Sequence, residues 1–452
     1  MFKRVLIANR GEPAVRVIRT CRELGIETVV VYSEIDAQTM PVKLATRAVC
    51  IGPTPAIDSY LNVPRILSAA EISGAEAIHP GYGFLAENAE FAETVEACKL
   101  SFIGPKSETI RQVNDRILTR QKARSLGIPV PPGSDAEIAN AAEARKLAEA
   151  LGYPVVFKPA RRSRKLWVVR KDKDLDMSLR MAQADAKATL NDGRVYLERL
   201  VENVRLIEVQ ILGTGTGVAV QLLDRESSVQ HRQEKLIDEA PTPGLSDALR
   251  ARLGDWALLL ARALEFRSAG TVSFLLDPAG NPWFLAMRAS LQAAHTVTEV
   301  LLGCDLVAEQ LRIAAGEPIS RELLEVQTLK PDAPHVMQCR VNAEDAERDF
   351  GPTAGTVSSL RFPGGPGVRV DSHIYAGYQG SAQYDTLVAK VICSDAGREP
   401  TIIRMERALQ ETAIEGVKTT LEFQQKILRL KTFRDAQLST TMVTREMFGV
   451  GS

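Results

Sequence analysis

With 452 residues the chain is too long for one ordinary core and is expected to divide into two or three domains. Its 56 Lys and Arg balance 56 Asp and Glu, and that zero net charge argues against nucleic acid as the main partner. No apolar run is long enough to span a bilayer and the N-terminus enters a strand directly, so neither a membrane nor a secretory signal is expected and the location reads as cytoplasmic.

The first segment opens with a strand over residues 4–8, the turn Asn9-Arg10-Gly11, an amphipathic helix over 13–24 and a strand over 28–32. Apolar strands alternate with helices as far as Gly104, which predicts a doubly wound parallel sheet. Pro13 suits a helix start, where no N–H need be donated. The turn lacks a full GxGxxG pattern and is a weak phosphate signal. His79-Pro80-Gly81-Tyr82-Gly83 follows the strand at 76–78, and its glycines fit either a tight connection or a loop facing a ligand.

A helix over 141–151, strands over 154–158 and 166–170 and a helix over 174–188 predict a small α+β lid. Farther on, apolar strands flank the turn Asp277-Pro278-Ala279-Gly280-Asn281, a hairpin signal. Paired strands of this kind can aim carboxylates at Mg²⁺, a hard cation that takes oxygen ligands. The inward candidates are Ser273, Ala286 and Arg288, and none is a carboxylate. Beyond Pro331 short strands over 335–341, 368–373 and 386–392 lead to a closing helix over 399–409. The six cysteines lie mostly in apolar runs with no CxxC pair and read as buried reduced thiols, and the five histidines form no metal-like cluster.

Ile7-Ala8-Asn9-Arg10-Gly11-Glu12, Ala77 to Leu85, Phe102-Ile103-Gly104-Pro105-Lys106, Arg340 to Asp345 and Ser372 to Tyr378 together resemble the biotin carboxylase family of the ATP-grasp superfamily. The resemblance spans essentially the whole chain. It implies a Rossmann-like N-terminal domain over 1–112, an ATP-grasp domain over 113–330 with a lid at about 131–203, and a C-terminal domain over 331–448. Such proteins use MgATP and bicarbonate to carboxylate biotin carried on a lysine of a partner. This sequence has no Ala-Met-Lys-Met biotinylation motif, so a separate biotin carboxyl carrier protein and a carboxyltransferase are implied as partners.

Carried over position by position, the resemblance is uneven. Lys158 falls on a nucleotide-phosphate lysine, Glu198 and Leu200 on adenine-pocket positions, Lys235 and Gln292 on bicarbonate contacts, and Arg340 on the arginine that steadies the biotin enolate. The two glutamates and the asparagine of the metal site are Ser273, Ala286 and Arg288 here. Ser290 replaces the arginine that grips bicarbonate, and Ala294 replaces the general base. Arg116, Gln233 and Leu206 stand for a lysine and two histidines of the nucleotide site.

The lid's glycine run, whose bare N–H groups lie against phosphate, is replaced by the shorter basic loop Pro159-Ala160-Arg161-Arg162-Ser163-Arg164-Lys165, expected to be solvated or to touch a partner. The leading expectation is therefore a pseudoenzyme that needs no cofactor of its own. It would serve a structural or regulatory role within a biotin-dependent acyl-CoA carboxylase, with the acetyl-CoA type of fatty acid biosynthesis as the expected host. Arg19, Glu23 and Arg369 match the family's pairing interface, while Pro366 replaces a phenylalanine, which points to a homodimer or to a heterodimer with an active biotin carboxylase. The alternatives are an active ATP- and bicarbonate-dependent carboxylase with a rearranged site, and a sensor that binds nucleotide without turnover.

Overall fold

The computed structural model describes residues 1–163, 165–326, 328 and 333–449, so Arg164 of the basic loop and Pro331 at the start of the third region lie outside it. β1 (Arg4–Ile7), β2 (Glu27–Tyr32), β3 (Arg47–Cys50), β4 (Ala77–His79) and β5 (Ser101–Phe102) form a parallel sheet in the order β3-β2-β1-β4-β5. Leu6, Val29 and Ile78 are fully buried on one face of it, as runs of apolar residues in a sheet covered on both sides require. The first helix spans Gly11–Glu23, two residues earlier than the apolar pattern indicated. Pro13 is thus its third residue, still among the first four whose N–H has no partner within the helix.

Asn9 takes up the turn that followed β1: its Nδ2 donates to the carbonyls of Pro80 (2.7 Å) and Tyr82 (2.8 Å). The glycine-rich loop therefore closes onto the first strand. Gly81, at φ 63°, sits so near Asn9 that a Cβ would lie 2.7 Å from its Nδ2. Arg10 is likewise spent internally, in a buried ion pair with Asp36.

The lid contains β6 (Val155–Pro159), β7 (Trp167–Val169) and β8 (Val195–Arg199) in the order β7-β6-β8, with the helices Ala141–Leu151 and Leu175–Leu190. Val155, Phe157 and Val169 pack beneath those helices, and the alternate residues Val156, Lys158 and Val168 take the other face. Next along the chain come β9 (Arg205–Thr214), β10 (Ala219–His231), β11 (Glu234–Ala240), β12 (Arg267–Leu276), β13 (Pro282–Arg288) and β14 (His335–Asn342). They form one antiparallel sheet in the order β13-β12-β9-β10-β11-β14, continued by Leu387–Asp395 and Val368–Ser372. The second and third regions thus share a sheet, with Ile237 paired to Cys339 across the junction.

Two expectations need correction. The helix Arg398–Glu411 does not close the chain, because Leu421–Leu428, Lys431–Arg434 and Met442–Phe448 follow and pack apolar side chains such as Phe433 and Met442 into the C-terminal core. Cys21, Cys339 and Cys393 are buried, but Cys50 and Cys98 are exposed. Cys50 lies on an edge strand and Cys98 ends the helix Ala89–Ala97, positions that an apolar run alone does not reveal.

His79 and His373 are fully enclosed, and burial holds both pKa values down at about 3. His79 Nδ1 accepts from the Gly81 N–H (3.0 Å), and the His373 ring lies 3.5 Å from where a Cβ on Gly11 would stand. Both are neutral when folded and protonate near 6.5 when unfolded, so their contribution is complete above that pH and is lost as pH falls. We predict that urea denaturation gives lower stability at pH 5 than at pH 7, each histidine contributing up to about 1.4 kcal/mol per pH unit. His373→Gln should flatten the profile; equal stability at the two pH values would contradict it.

Candidate functional site

The cleft floor is one face of the large sheet. Ser273 pairs with Ala286 and Thr271 with Arg288 across β12 and β13, so all four side chains point the same way. On β9, Glu208 lies beside Ser273 and Gln210 beside Thr271. Arg225 of β10, with no exposed surface, reaches all of this: Nε to Glu208 Oε2 (3.0 Å), Nη1 to Gln210 Oε1 (2.7 Å) and Nη2 to Thr271 Oγ1 (2.9 Å).

Glu208 also takes the Lys235 ammonium and the Ser273 hydroxyl (3.3 Å). Burial works against its charge, yet Lys235 and Arg225 overcome that and hold its pKa at about 2. Burial in turn pulls the Lys235 ammonium below its ordinary range despite Glu208. Arg340 lies on β14, its Nε and Nη2 on Asp238 Oδ2 (3.0 and 2.8 Å).

Arg288 and Ser290 are brought together by Glu87, a residue that nothing in the sequence singles out. Its Oε1 accepts from Arg288 Nε (2.9 Å), the Ala289 N–H (3.2 Å) and Ser290 Oγ (3.1 Å). Arg288 is thus turned inward on a carboxylate. Gln292 Nε2 folds back onto Ser290 Oγ (3.0 Å), and Ala294 is fully buried at the start of the helix His295–Leu302.

The positions that the resemblance assigns to nucleotide are placed as follows. Lys158 pairs with Glu198, which Arg120 approaches at 3.5 Å. The Leu200 N–H donates to the Pro154 carbonyl (3.1 Å), and Leu206 is buried with its N–H on Ser228 Oγ (2.7 Å). Gln233 follows Arg232 in the turn between β10 and β11, both at positive φ. Arg116 begins the helix Arg116–Ser125 and donates from its N–H to the Ala160 carbonyl (2.8 Å) and from Nη2 to the Ser163 carbonyl (3.2 Å). The basic loop is more engaged than expected: Arg162 pairs with Glu87 (2.9 Å) and Lys165 with Asp185, because the chain brings carboxylates to both.

These residues do not fit a divalent metal. At the three positions stand a hydroxyl, a methyl and a guanidinium, and the adjacent Glu208 is already shared by two cations. Among the described residues no three or more His, Cys, Asp or Glu are grouped to hold a metal ion. Among the described residues, Lys235 and Arg225 pair with Glu208, and Arg288 and Arg162 with Glu87, two cations to each carboxylate.

Family models match throughout: the biotin carboxylase N-terminal domain over residues 1–110, the ATP-binding domain of the carbamoyl-phosphate synthase L chain over 115–322, and the biotin carboxylase C-terminal domain over 338–445. The biotin carboxylase of Haemophilus influenzae is 43% identical over 437 residues, 96% of each chain. The chain belongs to the biotin carboxylase family. Biotin carboxylase 1 of Bacillus subtilis is 41% identical, covering 97% of this chain and 98% of its own. The biotin carboxylase of Campylobacter jejuni in complex with β-γ-ATP superposes with a TM-score of 0.95 at 36% identity, covering 99% of both chains. The biotin carboxylase domain dimer of Hydrogenobacter thermophilus 2-oxoglutarate carboxylase, with MgADP, ADP and bicarbonate, gives 0.94 at 38% identity, covering 98% of both. No helix among the described residues is long and apolar enough to cross a membrane.

Removing the Glu208 charge leaves Arg225 and Lys235 buried without their partner, a loss of about 3–5 kcal/mol for a broken buried pair. We expect Glu208→Gln to lower urea-derived stability by at least about 3 kcal/mol. A change under about 1 kcal/mol would show that the network does not hold the floor.

Proposed function

We propose that this chain is the biotin-carboxylase-type subunit of a biotin-dependent acyl-CoA carboxylase, and that it has lost ATP-dependent turnover. It would act structurally or as a regulator beside an active biotin carboxylase, a biotin carrier and a carboxyltransferase. The comparisons alone favour the other reading. The relatives bear the names of carboxylases at about two-fifths identity, and the solved ones hold nucleotide, bicarbonate or both. At that level an active ATP-, Mg²⁺- and bicarbonate-dependent carboxylase is the better supported of the two. The retained Lys158, Lys235, Gln292 and Arg340 favour it as well.

Loss of turnover rests on one observation in this chain, that Ser273, Ala286 and Arg288 share a face with Arg288 bound to Glu87. Phosphoryl transfer depends on a cation clamping developing negative charge, and these side chains supply no oxygen cage for one. Ala294 offers no proton acceptor, and Ser290 cannot reproduce a planar fork of donors. Without glycine the lid loop has no bare-backbone cradle, so it can meet phosphate only through side chains such as Arg161, Arg162 and Lys165. What the residues do supply is a rigid floor: Arg225 and Lys235 hold Glu208, and Asp238 orients Arg340.

Pairing through the face that carries Arg19 and Glu23 fits this role, since both are exposed and Arg19 lines a cleft of about 350 Å³ with Phe362, Val370 and Tyr375. Arg369 is less available than its position implied, being held by Asp371 and Glu299 (2.8 and 2.9 Å).

Calorimetric titration with ATP, with and without Mg²⁺, should give no metal-dependent heat, and bicarbonate-dependent ATP hydrolysis should be absent beside an active control. Magnesium-dependent binding with hydrolysis would establish the active reading instead. Saturable binding without turnover would make the chain a nucleotide sensor.

A further inference from the structure

Glu87 lies just before the helix Ala89–Ala97, whose N-cap Asn88 accepts from the Phe91 N–H (2.8 Å). The Glu87 carbonyl is gripped by Asn114 Nδ2 (2.7 Å), so its backbone is fixed on the N-terminal body. One carboxylate oxygen collects Arg288, Ala289 and Ser290 from the cleft floor, and the other takes Arg162 Nη1 (2.9 Å) from the lid. Glu87 therefore joins three parts of the chain through a single charged group.

Two further contacts tie the lid down nearby. Arg116 holds the carbonyls of Ala160 and Ser163, and Arg194 pairs with Asp115 (2.9 Å). We propose that these contacts form a latch, centred on Arg162, Glu87 and Arg288, which keeps the lid over the cleft with the chain's own side chains. Closure then needs no nucleotide. The inference goes beyond loss of turnover: it shares the Arg288–Glu87 pair with that reading and adds Arg162 of the lid.

The charge balance gives the latch a sign. Arg162 and Arg288 are two guanidinium groups on one carboxylate. With Glu87 in place they are bridged; without its charge they repel and drive the lid away. Arg162 is 48% exposed, so its pair alone is weak and screened by salt, and the latch works through several such contacts sharing one geometry.

Hydrogen exchange on the full chain tests this, with MgATP as the added probe. The lid, residues 131–203, should exchange at the same rate with and without MgATP in the unmodified protein. Arg162→Ala should speed exchange there about fivefold, as loss of a partly exposed ion pair predicts, while the C-terminal domain is unchanged. Glu87→Gln should have the larger effect. The Arg162 variant, altered at the surface, keeps the test open if the Glu87 variant fails to fold. Unchanged lid exchange in Arg162→Ala would overturn the latch, as would a lid protected only after MgATP is added. Unchanged exchange in Arg162→Ala without ATP hydrolysis fails the latch alone, hydrolysis with the Arg162→Ala effect intact fails the loss of turnover alone, and a lid protected only by MgATP counts against both.

Discussion

Arg225 lies with no exposed surface in the middle of the large sheet, and its three donors bind Glu208, Gln210 and Thr271 on two other strands. A guanidinium there is expensive to bury and tolerable only with each donor satisfied. Meeting that condition fixes Glu208, which in turn fixes Lys235 and receives Ser273. The floor of the cleft is therefore set by charge, and its register by the pairing of β9, β10 and β12.

On that floor the substitutions act together. The same-facing positions carry a hydroxyl, a methyl and a guanidinium, and the guanidinium is neutralised by Glu87 rather than left to repel its neighbours. On the proposed reading, an active relative and this chain share nearly every backbone position and differ in what the cleft attracts. Similarity over the full length speaks to the fold; the sign of charge at a few side chains speaks to the chemistry.

Much of this was legible in the sequence. The Asp277 to Asn281 turn marked the hairpin, and period-two reading of its strands put Ser273, Ala286 and Arg288 on one face, as their pairing shows. The helix at 141–151 matched its observed bounds, since Asn140 caps it and Gly152 ends it. Glu87 was not legible, because its partner Arg288 lies 201 residues away and nothing local distinguishes it from other acidic residues before a helix. The continuity of one sheet through β11 and β14 was hidden for the same reason: each strand's pattern is local, but its partner is not. The basic loop read as solvated or as a partner contact because its own carboxylate partners, Glu87 and Asp185, come from distant segments.

On the proposed reading, this cleft repels a divalent cation. Electron paramagnetic resonance of Mn²⁺ titrated with the protein and ATP measures it directly, Mn²⁺ standing for Mg²⁺ on oxygen ligands. The account predicts no protein-bound Mn²⁺ signal beyond that of ATP alone, and a bound signal gained in the triple variant Ser273→Glu, Ala286→Glu, Arg288→Asn. A saturable protein-bound signal in the unmodified chain would contradict it.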